Sequence, residues 1–365
     1  LTDPILLTPG PLTTRIETRR AMLRDWGSRD PAFIALTAEL RGRLLALARG
    51  EATHGCVPLQ GSGTFIVEAT LATLLRPGDR LLVLANGAYG ERIAAIARRM
   101  GRQVEVLRWP EDQPVEPRRV AEALDADHGL THVALVHCET TTGLLNPLAE
   151  VAAVVGRAGR HLLLDAMSSF GAIDIDLGAV PLAAVMASSN KCLEGVPGIG
   201  FALIERSLLA ASEGMSPSIS LDLHAQWRGL EKDGQWRFTP PVQVVAALVE
   251  ALRLLEAEGG PPARLERYRG NCRILLAGMR RLGFELYLDE ALQAPIIATF
   301  RMPETRPLAF AAFYDALAAR GFLIYPGKLT QAETFRIGCI GAINGNDIER
   351  LLAAVEAVLG GMTVT

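Results

Sequence analysis

The chain has 365 residues, of which 49% are hydrophobic and 21% charged, and its net charge is −3. That length is more than one core commonly serves and predicts two lobes, each able to bury apolar surface. The near-neutral balance, with no basic stripe and no acidic tail, excludes a nucleic-acid binder and a solvating arm.

The opening LTDPILLTPGPLTT lacks the basic start and the long apolar stretch of a secretion signal. No apolar run approaches the ~20 residues needed to cross a bilayer. The cysteines, at 56, 138, 192, 272 and 339, are scattered and form no C-x-x-C pair. Reduced thiols, a cytoplasmic setting and no metal site are therefore expected.

Pro4, Pro9 and Pro11 predict an extended arm over residues 1–14. Residues 31–49 have helical spacing, with Pro31 in the first turn. The stretch 55–79 reads as strand, glycine turn and helix, with Val67, Leu71, Leu74 and Leu75 on one face. A strand follows at 80–86. The next helix carries Ile93, Ile96, Ala97 and Met100 in register and stops at Gly101. Further apolar runs occupy 104–109, 131–140 and 160–169. Strands apolar on both faces that alternate with helices predict a mostly parallel, doubly wound α/β sheet covered on both sides.

Two apolar segments, 183–186 and 201–204, bracket a polar loop that contains Lys191. Beyond Pro240-Pro241 a long helix runs to Gly259-Gly260, and a smaller α+β lobe begins. It contains strands in PIIATFRM, FLIYPG and TFRIGCIG, a helix at 309–320, and a last helix capped by Asn346 and Glu349. The expected division is a large domain over 15–260 and a small one over 261–365, with the arm 1–14 near the latter.

In a wound sheet, ligands bind outside the carboxyl ends of the strands. Gly61-Ser62-Gly63-Thr64 leads there straight into a helix, which suits a phosphate, although an ordinary glycine turn and cap would look the same. It is neither a P-loop nor a Rossmann fingerprint, whose third glycine would fall on Ile66. Tyr89 follows a strand and could cover a planar ligand or simply pack. Thr140, Thr141 and Thr142 suit a turn or a polar ligand equally. Asp165, the lone charge in HLLLD, could cap a helix or hold a cationic ring nitrogen; no second carboxylate supports a metal. Lys191 alone would pass for a surface turn. Together they match pyridoxal phosphate, which needs an anion cradle, a flat neighbour, an acid for its ring nitrogen and an amine for its aldehyde.

The segments LLTPGPLTT, GSGT, ANGAYGER, ETTTGLLNP, DAMSSFGA, SSNKCLEGVPGIGF and FRIGCIG resemble the class V aminotransferases of the fold-type I pyridoxal phosphate superfamily, over essentially the whole chain. The resemblance implies that Lys191 bonds the cofactor aldehyde and shuttles the proton, with Asp165 on the ring nitrogen and Tyr89 stacked on the ring. It places the phosphate on Ser62, Gly63 and Thr64, and Thr142 near the ring's phenolic oxygen. A homodimer is implied, with Thr239 of one chain completing the other's phosphate site. Arg336 would hold the substrate's carboxylate or phosphonate, and Ser28 and Arg29 would lie at the site entrance. Within the class, the resemblance implies transfer of the amino group of 2-aminoethylphosphonate to pyruvate. The alternative is a serine or alanine donor with glyoxylate. A cysteine desulfurase fits less well, because Tyr89 and Asn190 stand where histidines are usual.

Overall fold

The computed structural model describes residues 3–303, 309–328 and 332–361. Seven strands form the main sheet: β1 (His54–Gln60), β2 (Arg80–Ala85), β3 (Gln103–Arg108), β4 (His132–Val136), β5 (His161–Asp165), β6 (Ala184–Ser188) and β7 (Ile199–Glu205). Their order is β1-β7-β6-β5-β4-β2-β3. Only β7 runs against the rest, pairing antiparallel with β1 and β6. The sheet is mostly parallel, as its apolar strands predict.

Alternation along each strand separates two cores. Leu82, Leu84, Val133, Leu135, Leu162 and Leu164 share one core with helices α1 (Pro31–Leu47), α4 (Pro117–Ala126), α5 (Leu148–Arg157) and α7 (Val242–Glu258). Leu81, Val83, Ala134, Val136 and Leu163 share the other with α2 (Gly63–Leu74) and α3 (Ala88–Arg99). A period of two therefore gives each face its own apolar layer. Each fully buried Leu or Val contributes about 1.5–3 kcal/mol relative to an exposed one.

A separate core gathers Leu275, Met279, Phe300, Phe313, Phe335 and Val355 with Leu7 of the arm. It surrounds a three-stranded sheet of order β8-β10-β9, formed by β8 (Ile297–Arg301), β9 (Tyr325–Pro326) and β10 (Thr334–Gly338). Phe300 stacks on Phe335 at 5.6 Å, and Phe284 meets Phe335 edge-on at 5.3 Å. The arm joins this sheet's side of the molecule. Ile5–Leu6 pairs in parallel with Phe322–Leu323, and the Gly338 N–H donates to Leu7 O at 2.8 Å.

Local signals set the helix ends. Pro31 occupies the first turn of α1, and Asp30 accepts from the Ala32 N–H at 2.7 Å. Helix α6 (Leu223–Asp233) precedes α7, and α7 and α8 (Gly260–Arg281) meet at Gly259 and Gly260. The last helices are α9 (Phe310–Ala318) and α10 (Gly345–Gly361). The cap expected on Asn346 and Glu349 lies two residues earlier. Asn344 Oδ1 accepts from the Asn346 N–H at 2.9 Å, and Asp347 Oδ2 accepts from the Asn344 N–H at 3.0 Å. Both pairs have the same spacing, so sequence alone could not choose between them. Among the described residues, no helix is long and apolar enough to cross a membrane.

Candidate active site

Asp165 ends β5, the central strand of the seven, paired with Val136 on one side and Met186 on the other. Lys191 lies three positions past the end of the neighbouring β6, in the turn that leads to β7. The winding thus brings together residues far apart in the chain at the carboxyl edge of the sheet. Ser62, Gly63, Thr64, Tyr89, Arg92, Asp165 and Lys191 line one cavity of about 180 Å³.

Ser62 is the N-cap of α2, yet its hydroxyl makes no capping bond. The first-turn N–H groups are thus left to a ligand, and the dipole end favours an anion. The cradle is closely built: a Cβ at Gly63 would come within 2.7 Å of Met167 Sδ. By contrast, α3 is capped from outside, since Glu139 Oε2 accepts from the Tyr89 N–H at 3.3 Å.

Asp165 Oδ1 accepts from the Met167 N–H at 3.0 Å, the capping bond considered from sequence, although a turn and not a helix follows. Its second oxygen has no hydrogen-bond partner among the described residues. Burial pushes this carboxyl up to about 6, against the pull of Met167 N–H, Lys191 and Arg92. Burial likewise brings the Lys191 ammonium down to about 8, a shift that Arg336 reinforces and Asp165 opposes. A lysine in that range is populated both as base and as acid near neutral pH.

Arg336 projects from β10 and is 3% exposed. Its Nε donates to Pro326 O at 3.0 Å and its Nη1 to Thr140 O at 2.9 Å. Among the described residues no carboxylate pairs with it. Burial alone depresses its pKa, and nearby Tyr89, Tyr325 and Glu139 oppose this. A buried guanidinium bonded only to neutral carbonyls is a site for an anion. Arg92 and Lys328 add positive charge, at 4.8 and 5.0 Å from the Tyr89 ring centre.

Five expected residues do not line this cavity: Arg336, which lies close enough to Lys191 to lower its pKa, and Thr142, Thr239, Ser28 and Arg29. Thr142 is fully buried in the hairpin between Cys138–Glu139 and Leu144–Leu145, and its hydroxyl accepts from the Leu144 N–H at 3.3 Å. Thr140, held to Ser168 at 2.7 Å, forms the wall instead. The direction of a side chain in such a turn is set by its hydrogen bonds and not by its place in a run of threonines. Thr239 is exposed and lines a different groove, of about 280 Å³, with Phe65, Ile219 and Phe238. Phe65 immediately follows the phosphate-cup residue Thr64, so groove and cavity share that turn. Ser28 and Arg29 are exposed in the turn before α1.

The sequence reading missed Arg92 and Glu139, and left Thr140 as one of three equal threonines. Arg92 stands three residues after Tyr89 on α3, so helical spacing could have found it. Glu139 is fully buried, accepts from the Thr141 hydroxyl at 2.9 Å, and is pushed up to about 7 by burial. Nothing in a single sequence marks it. The cavity residues fit pyridoxal phosphate: an open helix N-terminus for the phosphate, Tyr89 for the ring, the free oxygen of Asp165 for the ring nitrogen, and Lys191 for the aldehyde. Among the described residues, no group of His, Cys, Asp and Glu side chains is placed to hold a metal ion.

Known proteins share this arrangement of chain. The family model for aminotransferase class-V matches residues 35–328. A 2-aminoethylphosphonate–pyruvate transaminase of Pseudomonas putida strain GB-1 is 53% identical, covering 99% of this chain and 98% of its own. A Burkholderia lata protein, 2-aminoethylphosphonate–pyruvate transaminase 2, is 54% identical over 99% of this chain and 96% of its own. Among solved structures, the pyridoxamine–pyruvate aminotransferase of Mesorhizobium loti superposes with a TM-score of 0.91 at 25% identity, covering 100% of this chain and 94% of its own. The alanine–glyoxylate aminotransferase of Nostoc sp. does so with a TM-score of 0.91 at 26% identity, covering 98% and 96%. Through this family match and these relatives, the chain belongs to the class V aminotransferases, on the α/β fold of fold-type I.

Proposed function

We propose that this enzyme moves the amino group of 2-aminoethylphosphonate to pyruvate, giving phosphonoacetaldehyde and L-alanine. The observation that carries the reading is the buried Arg336 guanidinium, with no carboxylate partner among the described residues, held beside Tyr89 and near Lys191. One anion site there serves both half-reactions, because a guanidinium fork binds phosphonate and carboxylate alike. The relatives that bear this activity in their names cover the chain end to end at over half identity. The alanine–glyoxylate neighbour, at 26%, supports the fold more than the substrate.

When bound, pyridoxal phosphate supplies an aldehyde that takes up amines and a ring that accepts the electron pair left on carbon. Ser62, Gly63 and Thr64 bind the phosphate, and Tyr89 covers the ring. Asp165, through its free oxygen, keeps the ring nitrogen protonated. Lys191 Nζ takes the proton from the substrate carbon that bears nitrogen and returns it on the other side of the exchange; its lowered pKa suits both directions. Thr140, and not Thr142, supplies the polar wall.

A second copy of the chain completes the site in this reading. The groove around Thr239 exposes Phe65, Ile219 and Phe238, which are 52%, 73% and 52% exposed, so a partner covering it would bury apolar surface beside the phosphate cup. The five cysteines are free and buried, which suits a reducing cytoplasm.

A donor screen with pyruvate as acceptor tests the proposal. Alanine formation should be fastest with 2-aminoethylphosphonate. A higher kcat/KM with serine or alanine as donor and glyoxylate as acceptor would reject it in favour of the other class V chemistry.

A further inference from the structure

A second group of charges meets the Lys191 turn, and the proposed reaction does not use it. Helix α8 sets Arg264, Arg267 and Tyr268 against Glu194 and Glu258. Arg264 is 0% exposed; it donates to Glu258 Oε2 at 2.7 and 2.9 Å, and its Nη1 donates to the Cys192 carbonyl at 2.9 Å. Arg267 donates to Glu194 Oε1 and Glu258 Oε1, each at 2.7 Å, and through Nη1 to Gly341 O at 2.5 Å and Ile343 O at 3.0 Å. The Tyr268 hydroxyl donates to the same Glu194 oxygen at 2.7 Å.

Glu194 holds an unusual backbone. Its φ of 58° lies in the left-handed region, which a residue with a side chain keeps only where its surroundings dictate it. Its N–H donates to the Lys191 carbonyl at 2.9 Å, closing the turn, and the Gly195 N–H donates to Ser189 O at 2.9 Å. The side-chain bonds of Glu194 therefore hold the strained residue that closes the turn around Lys191. Its Oε2 is buried with no partner.

The arm meets the same turn. A Cβ at Gly10, whose φ is 124°, would stand 2.7 Å from Asn190 O and 2.9 Å from Lys191 Cδ, so only glycine fits there. Downstream, Thr13 O accepts from the Ala342 N–H at 2.8 Å. Ala342 lies between the two residues whose carbonyls Arg267 holds, in the segment that follows the Arg336 strand. Arm and charge cluster thus tie the lysine turn to one piece of the small core's chain.

We infer that Glu194 is a positioning residue for Lys191, locking the turn that aims its amine into the cavity. The inference rests on the reading of Lys191 as the lysine that serves the cofactor. Loss of the Glu194 contacts lets the left-handed turn relax, and the amine loses its placement before it loses its fold.

The test uses holoenzyme for kinetics and cofactor-free protein for amine chemistry. Glu194→Gln should lower kcat by about tenfold to a hundredfold, the cost of a misplaced catalytic group. KM for both substrates should stay within about threefold, because the anion site is untouched. Amine labelling followed by peptide mapping reads Lys191 directly, since the chain has only two other lysines, Lys232 and Lys328, and mapping separates these and the α-amino group from it. Lys191 faces Asp165, Cys138, Cys192 and Arg336, none of which the variant changes. As the turn opens, its labelling midpoint should move up from about 8 toward the range of an exposed lysine. Tyr268→Phe removes one hydroxyl and should move both readouts in the same direction by less; it decides the matter if Glu194→Gln does not fold. Folded variants with wild-type kcat and an unmoved labelling midpoint, whatever their Tm, overturn the inference. Turnover by Lys191→Ala, run alongside, would instead overturn the reading of Lys191, and the inference with it.

Discussion

The two groups of buried charge that meet the lysine turn are opposites. In the cluster on α8, Arg264, Arg267, Glu194 and Glu258 are two cations and two anions, joined by ion pairs as short as 2.7 Å. At the cavity, Asp165 and Lys191, with Arg336 close to Lys191, are also buried, yet none forms a salt bridge among the described residues, and burial moves all three away from their ordinary titration. Burying a charge is costly unless it is paired. The first cluster meets that cost within the chain. The second leaves it to whatever binds, and that is the physical mark of a site.

Lys191→Ala removes the one amine in the cavity wall and should break the comparison most severely. Alanine formation should fall about 10²- to 10⁴-fold from lost proton transfer alone; a rate within tenfold of wild type would take the lysine out of the chemistry. Arg336→Ala should come next, raising KM for both the phosphonate donor and pyruvate about thirtyfold or more, as loss of one side of a buried charged contact does. Cofactor affinity should hardly move in that variant. Equal losses of substrate and cofactor binding would mean that the guanidinium serves the site as a whole.

The paired cluster predicts a different failure. Arg264→Met takes away one of the two arginines that hold Glu258 and the donor to the Cys192 carbonyl, leaving two buried carboxylates to Arg267, and should cost about 3–5 kcal/mol in urea unfolding. A loss under about 1 kcal/mol would place this cluster with exposed pairs in strength. Asp165→Asn should do the reverse in cofactor-free protein. Burial raises this carboxyl from 3.8 to about 6, so at pH 7 the folded state carries a charge it disfavours. The amide variant should gain up to about 3 kcal/mol there, at 1.36 kcal/mol per pKa unit. That gain should fade as pH drops through about 6 toward 4, where Asp165 protonates by itself. An Asp165→Asn variant no more stable than wild type at pH 7 would show the carboxylate to be accommodated already.

The sheet was legible because its physics is local. Leu81 to Leu84 and His132 to Val136 are buried at every position, and only a strand covered on both faces buries them all. Once the winding is known, the ends of β5 and β6 must lie side by side, so Asp165 and Lys191 could be named together. Thr140 stands in the cavity wall where Thr142 was expected, and the last helix cap falls two residues earlier, because equal candidates stand one or two residues away. Contacts from distant chain, such as the Arg336 bond to Thr140 O, choose between them.

What the sequence determined by itself, then, is the layer order of the large lobe and the strand-end residues that line its cavity, since both follow from side-chain periodicity and the hand of the crossovers. The tertiary structure alone decided which buried charges are paired. Arg267 and Glu194 are 73 residues apart and Arg336 and Thr140 are 196 apart, and electrostatic balance depends on distances in space that no spacing along the chain encodes.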